Sequence, residues 1–332
     1  MKKISLSCKI ITPLFMGGAE QQAELRTQSF NGLFRYWFRL LGGSFEDEKR
    51  LFGWGGEKAN KGVVRIRVIK EGDINPYQVT HREPTGYRYL GFSLQLTERN
   101  GIKVPYYFKI LFSFHPIATD EDIKKFLCAV WCAFYLGNFG SRSRRGFGSI
   151  MVEDIEGDIP SGFNLKFKPQ GDIGNWIKEQ LNYIKGLNYW KARKDIPYVF
   201  ENLEIYRFFQ SKRYCFEMLH EMGTRYRYYR QNLRFHERIW FGLPILPKIK
   251  EARRASLLIF KTIQSNSNFE GFILVFKPNE KHDFKFLPDE AKINLKGVNL
   301  NMPRWEVLND FMRSLEDLNL IKKIYPSKEV EL

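Results

Sequence analysis

The stretch from Gly137 to Ile150, Gly-Asn-Phe-Gly-Ser-Arg-Ser-Arg-Arg-Gly-Phe-Gly-Ser-Ile, restricts the chain more than any other. A long apolar run precedes it, a strand pattern follows it, and between them lie four glycines and three arginines. Glycine reaches positive φ without steric cost, so successive amides in such a helix-to-strand connection can turn inward and form an anion-binding concavity. Arg142, Arg144 and Arg145 add planar guanidinium forks that match phosphate geometry. A simpler reading is a helix C-cap, with Gly137 closing the helix and a turn leading into an edge strand. A cap needs one glycine. The surplus points to a backbone clamp for a polyanion, with Gly140, Gly146 and Gly148 allowing close approach.

Charge agrees with a nucleic-acid partner. Fifty-three Lys and Arg against thirty-seven Asp and Glu leave +16, enough to attract phosphate backbones and to gain from counterion release, although a generally basic protein would show the same balance. With 43% hydrophobic and 16% aromatic residues, 332 residues can bury two cores, so many aromatics are structural. Cys8, Cys128, Cys132 and Cys215 are too scattered for a disulfide framework. Cys128 and Cys132 lie one helical turn apart in the apolar run Phe126 to Leu136 with no histidine nearby. They read as small buried hydrophobes rather than metal ligands, and no metal or cofactor is expected. That run is too short to span a bilayer, and Lys9 interrupts the N-terminal apolar stretch, which has no small-residue cleavage site after it. The chain reads as cytoplasmic and reduced, with no membrane partner.

Along the chain, Ile4 to Ile11 alternates at period two and predicts a strand that stops at Thr12-Pro13. A Gly17-Gly18 loop follows, then a helix that Ser29 or Asn31 would cap, with Phe30, Phe34, Trp37, Phe38 and Leu41 on one face. Arg35 and Arg39 share another face, either solvated or beside a phosphate path. A short helix spans Glu46 to Phe52, a flexible turn covers Gly53 to Gly56, and a strand runs from Val63 to Ile69. The region from Lys70 to Tyr87 reads as a long loop. Strands are expected near Tyr89 to Leu96 and Tyr106 to Phe114, then a helix capped at Thr119 or Asp120 and running through Leu136, then a strand from Ser149 to Ile155. This order is the α+β, split βαβ arrangement of a ferredoxin-like (RRM-like) domain with one extra strand.

The domain would cover residues 1–157, including the glycine-rich loop 137–148, with the boundary near Gly157 to Gly162. Residues 158–332 read as a second, divergent ferredoxin-like domain. It comprises a short amphipathic helix after Gly174-Asn175, a strand at Tyr198 to Phe209, a helix at Phe216 to Leu233, strands at Ala255 to Ile263 and Phe269 to Phe276, and a closing helix after Pro303 carrying Trp305 to Leu318. No last strand and no second glycine clamp can be read. Arg227, Arg230 and Arg234, with Arg238 if the helix extends, form one face without carboxylates, either solvated or facing RNA.

Four segments taken together resemble the RAMP superfamily of CRISPR-associated proteins, and specifically the subunit-one family of type III-B Cmr effector complexes. They are Thr12 to Glu20 (TPLFMGGAE), Ser29 to Arg39 (SFNGLFRYWFR), Leu51 to Gly56 (LFGWGG) and Gly140 to Gly148 (GSRSRRGFG). In the second half Phe241 to Pro244 and Arg253 to Leu257 match less closely. The resemblance implies two tandem ferredoxin-like domains and a non-catalytic place at the end of a ribonucleoprotein filament, near the 3′ end of the guide RNA. It also implies guide RNA, target RNA and other RAMP subunits as partners. The family's glycine loop carries over onto Gly140, Arg142, Arg144, Arg145, Gly146 and Gly148.

The residue chemistry also suits a binder. The chain has no G-x-x-x-x-G-K-[ST] and no H-E-x-x-H, and His81, His115, His220, His236 and His282 are dispersed. Two rivals remain. One is a metal-independent endoribonuclease, for which only His81 could serve as general base; the other is a protein-binding cap whose basic surface faces an acidic neighbour.

Overall fold

The computed structural model describes residues 1–18, 22–56, 59–97, 99–193, 196–234, 237–245, 249–254, 256–277 and 306–326. The first alternating segment forms β1 (Lys3–Ile10), with Ile4, Leu6, Cys8 and Ile10 buried on one side. It sits at the centre of a four-stranded antiparallel sheet with β2 (Val64–Lys70), β5 (Tyr106–Phe114) and β6 (Ile150–Gly157), ordered β2-β5-β1-β6. Cys8 pairs with Phe108 on one side and Val152 on the other, which fixes the register so that one apolar face looks inward. Against that face pack α1 (Thr27–Leu40) and α5 (Asp120–Tyr135). Their contact is aromatic: Phe34 lies 5.9 Å from Phe112, and Phe126 lies 4.9 Å from Phe112, both edge to face. α5 begins at the expected place because Thr119 and Asp122 form a reciprocal capping box. α1 begins earlier than the cap residues suggested, at Thr27 after an uncapped Arg26, so Ser29 and Asn31 are inside it. α2 (Phe45–Phe52) is capped by Ser44.

The strand expected at Tyr89 to Leu96 is instead two short helices, α3 (Thr85–Leu90) and α4 (Phe92–Leu96), and the preceding loop holds β3 (Pro76–Tyr77), paired with β4 (Gly101–Ile102). The reason is tertiary. α3 crosses α8 (Cys215–Gln231) at two glycines so closely that a Cβ on Gly86 would lie 2.2 Å from the His220 carbonyl oxygen, and one on Gly223 would lie 2.1 Å from that of Gly86. Aromatic β propensity at Tyr87 and Tyr89 yields to that contact.

The second half repeats the first. β7 (Leu203–Phe208), preceded by the helical turn α7 (Val199–Asn202), joins β10 (Leu258–Ser265), β11 (Asn268–Phe276) and β12 (Ile321–Tyr325) in the order β10-β11-β7-β12. This is the same ferredoxin-like permutation, with α8 and α9 (Glu306–Asp317) as its helices. The last strand, unread in the sequence, is β12; Lys322 and Lys323 interrupt its apolar pattern, and Lys323 ion-pairs with Glu204. A small hairpin, β8 (Leu243–Ile245) with β9 (Ile249–Arg254), lies between α8 and β10. His236, His282 and the expected helix start at Asn301 to Trp305 lie outside the described residues.

Both faces of the second sheet are covered. Tyr206, Phe208, Phe260 and Ile273 face α8 and α9. Ile205, Ile259, Phe272 and Leu274 join the core of the first half, where Trp37 meets Phe276 at 6.1 Å. α6 (Ile173–Gly186) closes this layer, its Trp176 4.6 Å from Tyr135 of α5.

Candidate nucleic-acid interface

After α5 the chain enters the glycine-rich loop. Gly137 is required by proximity rather than by φ, because a Cβ there would lie 2.5 Å from Trp37 Nε1. Gly140, Gly146 and Gly148 have positive φ, and so does Arg142 at 59°, a conformation costly for a residue with a side chain. The loop rests on the segment that follows β1: Ser141 N donates to Phe15 O at 2.7 Å, Gly148 N to Pro13 O at 2.9 Å, and Thr12 Oγ1 to Gly146 O at 2.8 Å. From below, Asn138 Nδ2 donates to Ser143 O and to Phe260 O, while Lys261 Nζ donates to Gly137 O at 2.9 Å. The second sheet therefore holds the loop of the first half in place. The amides of Gly140, Arg142 and Ser143 donate to no acceptor among the described residues, as an anion-binding backbone requires.

The three arginines are half-buried, not free surface charges. Arg142 Nε donates to Ser93 Oγ at 2.9 Å. Arg144 donates to Ser256 O and to Tyr36 Oη, and Arg145 donates to Phe241 O while lying 4.5 Å above the Tyr226 ring. Arg144 and Arg145 thus tie the loop to the second half, a role that a surface-charge reading does not contain. Arg230 of α8 donates to Tyr89 Oη and approaches the same tyrosine ring, 5.9 Å from Tyr226. Burial first, and then the charges of Arg145 and Arg230, lower the pKa of Arg142. No carboxylate among the described residues pairs with Arg142, Arg144, Arg145 or Arg230, and buried nitrogens on Arg145 and Arg230 have no partner there.

Two grooves flank the loop. One, of about 510 Å³, is lined by Arg99, Arg142, Ser93, Thr97 and Ser141. The other, of about 390 Å³, runs along Ser29, Gly32 and Tyr36 of α1 to Gly140, Ser141 and Ser143. Arg99 lines both and donates to Ser141 Oγ at 2.7 Å, forming the ridge between them. Sequence reasoning did not single out Arg99; its only signal is a basic residue before Asn100-Gly101, and the fold alone brings it to the loop.

The other candidates are placed differently. Arg35 and Arg39 both hold Glu48 of α2, whose side chain is 1% exposed, with Arg39 Nε 2.8 Å from Oε2. α8 ends at Gln231, so Arg234 is exposed beyond it, and Arg227 is half-buried. Of that face only Arg230 reaches the loop's cluster. Histidines serve the scaffold: His220 Nδ1 accepts from Gly86 N, His115 Nδ1 accepts from Ile117 N, and His81 contacts Gln95 and lines neither groove. Among the described residues, no cluster of three potential metal ligands occurs and no helix is long and apolar enough to cross a membrane.

A family model described as the RAMP superfamily matches residues 7–151. The CRISPR system Cmr subunit Cmr1-2 of Pyrococcus furiosus is 32% identical over 173 residues, covering 43% of this chain and 91% of that protein. Cmr1-1 of the same organism is 26% identical over 286 residues, covering 78% and 82%. Among solved structures, the apo crystal structure of Cmr1 from Pyrococcus furiosus superposes with a TM-score of 0.68 at 19% identity, covering 98% of this chain and 99% of that one. A chain of the type III-B Cmr-β complex bound to cognate target RNA and AMPPnP, in the presence of ssDNA, gives 0.58 at 15% identity, covering 95% and 99%.

Proposed function

Because this chain belongs to the RAMP superfamily and, within it, to the Cmr1 subunits of CRISPR Cmr systems, we propose that it is a non-catalytic RNA-binding subunit of a type III-B effector complex. It assembles with other RAMP subunits, caps the filament near the 3′ end of the guide RNA, and helps capture target RNA in antiviral defence. The observation that carries the RNA reading is the loop itself. Gly140 and Ser143 line one groove and Arg142 the other, each with an amide that has no acceptor among the described residues; Arg99 lines both, and no carboxylate among the described residues neutralises Arg142, Arg145 or Arg230. A phosphate in either groove would accept from those amides and guanidiniums, and neutralising the like-charged cluster would stabilise it. Gly140, Gly146 and Gly148 shape the path. Arg144 and Arg145 bind chiefly by holding the loop, and Arg230 supports them; Arg35, Arg39, Arg227 and Arg234 form the outlying basic surface.

The test is binding of labelled single-stranded RNA across a salt series. Arg99→Ala combined with Arg142→Gly removes two phosphate ligands, and glycine keeps the positive φ at position 142. Affinity is expected to fall, and the slope of log affinity against log salt is expected to shrink by about 1.4, from ~0.7 per single-strand phosphate contact. Unchanged affinity and slope in a folded variant would remove the loop from the RNA path. Discrete RNA cleavage in EDTA by the wild type would instead favour a nuclease.

A further inference from the structure

The two sheets end up in different surroundings. The second is covered on both faces, whereas the first is covered on one, and its other face is open except at the Lys9–Met151 end, where Gln264 of β10 reaches it. That face is basic. On β5 it presents Tyr107, 45% exposed, and Lys109; on β2 it presents exposed Arg65 and Arg67; on β1 it presents Lys9. Register places them in a continuous group, with Lys9 opposite Tyr107, Lys109 opposite Ile69, Arg67 opposite Leu111 and Arg65 opposite Ser113. Neighbouring members are therefore about 5–7 Å apart, given strand spacing and the two-residue repeat. The Lys9 ammonium lies 5.7 Å over the Tyr107 ring and donates to Gln264 Oε1 of β10 at 2.9 Å. Lys109, Arg65 and Arg67 have no ion-pair partner among the described residues. The carboxylates of this face, Asp154 and Glu156, are on the far edge strand β6, opposite Ser7 and Ser5.

We infer that this open face is a second contact surface for single-stranded RNA, with Lys109, Arg65 and Arg67 on phosphates and Tyr107 beneath a base. The inference rests on the RNA-binding reading of the loop and extends it. Position supports it: Lys9 and Tyr107 lie at the strand ends beside Ile150, the residue that leaves the glycine-rich loop, so the face begins at the end of the sheet nearest that loop. Composition separates it from a protein interface, whose buried centre is depleted in lysine and serine, whereas this face carries both. Four-stranded sheets of this permutation can hold bases on aromatics of their central strands, and stacking on one ring tolerates any base.

The experiment measures binding of a fluorescein-labelled oligouridine to the full chain over a salt series, beside the Arg99→Ala, Arg142→Gly variant as reference. Tyr107→Ala is expected to weaken binding about fivefold or more with the salt slope unchanged, because a stacked base releases no counterion. Arg65→Ala with Arg67→Ala is expected to shrink the slope by about 1.4. All three replaced side chains are exposed, so unchanged melting profiles serve as the folding control. If both face variants match the wild type in affinity and slope while the groove variant loses binding, the face is not an RNA contact, though the loop reading stands. If the wild type binds no RNA, both fall. Face variants that keep RNA affinity but lose association with purified neighbouring RAMP subunits would assign the surface to protein and overturn the inference.

Discussion

A Cβ on Gly148 would lie 1.9 Å from the Phe139 carbonyl oxygen, at a φ of 75°, so no small movement accommodates it. Gly148→Ala is expected to destabilise the protein by at least about 2 kcal/mol, against about 1 kcal/mol for Gly162→Ala, which shares the positive φ but meets nothing; urea midpoints read the difference. Lys261 tests a different cost. Complete burial pushes its amine well below the ordinary 10.5, so between that depressed value and 10.5 the unfolded chain binds more protons and stability falls as pH falls. Lys261→Met is therefore expected to gain on the wild type as pH is lowered from 10.5 towards 7. Loss of the hydrogen bonds to Gly137 and Asn138 shifts the whole curve without changing that trend. For Glu48 the sign is opposite. Burial would raise its pKa, but hydrogen bonds from Arg39 and Arg35 outweigh this and hold it below 4.5, so its contribution is complete above 4.5 and fades as pH falls through the folded value. Glu48→Gln should cost about 1–2 kcal/mol at neutral pH, the smaller end because Arg39 is partly solvated, and almost nothing in strong acid. The glycines and arginines of the loop were legible in the sequence because composition alone set them apart. Their partners Tyr36, Ser93, Ser256 and Tyr226 were not, since they come from four distant segments.

Among elements, the crossing of α3 and α8 matters most to the site, for Tyr89 and Ser93 beside it receive hydrogen bonds from Arg230 and Arg142. Gly223→Ala would force the helices apart. It is expected to lower stability by about 2–4 kcal/mol and to weaken RNA binding even though residue 223 touches neither groove, with melting temperature and affinity measured on the same preparation. This crossing also shows where periodicity fails. Gly-Tyr-Arg-Tyr-Leu-Gly-Phe-Ser-Leu alternates apolar and polar well enough to pass for a strand, and only the partner glycine on α8, more than a hundred residues away, makes it helical. α5 was legible because Thr119 and Asp122 mark its start, and α8 because its apolar stripe is long enough to decide its period.

For the whole molecule, a core shared between the two repeats predicts one unfolding event. Trp37 against Phe276 and Lys261 against Gly137 cannot survive loss of either half, so calorimetric and van't Hoff enthalpies should agree; two resolved transitions would show independent halves. The repeat of two ferredoxin-like units was readable from element order, but their mutual packing was not, because a buried sheet face and a buried helix face are equally apolar in sequence. The support of the loop by Lys261 also has a consequence in time. On the ribosome, Gly137 emerges 124 residues ahead of the lysine that holds it, roughly 6–25 s at about 5–20 residues per second. Throughout that interval the loop rests on the Thr12–Phe15 segment alone, and Arg144 and Arg145 reach Ser256, Phe241 and Tyr226 only when the second half is made.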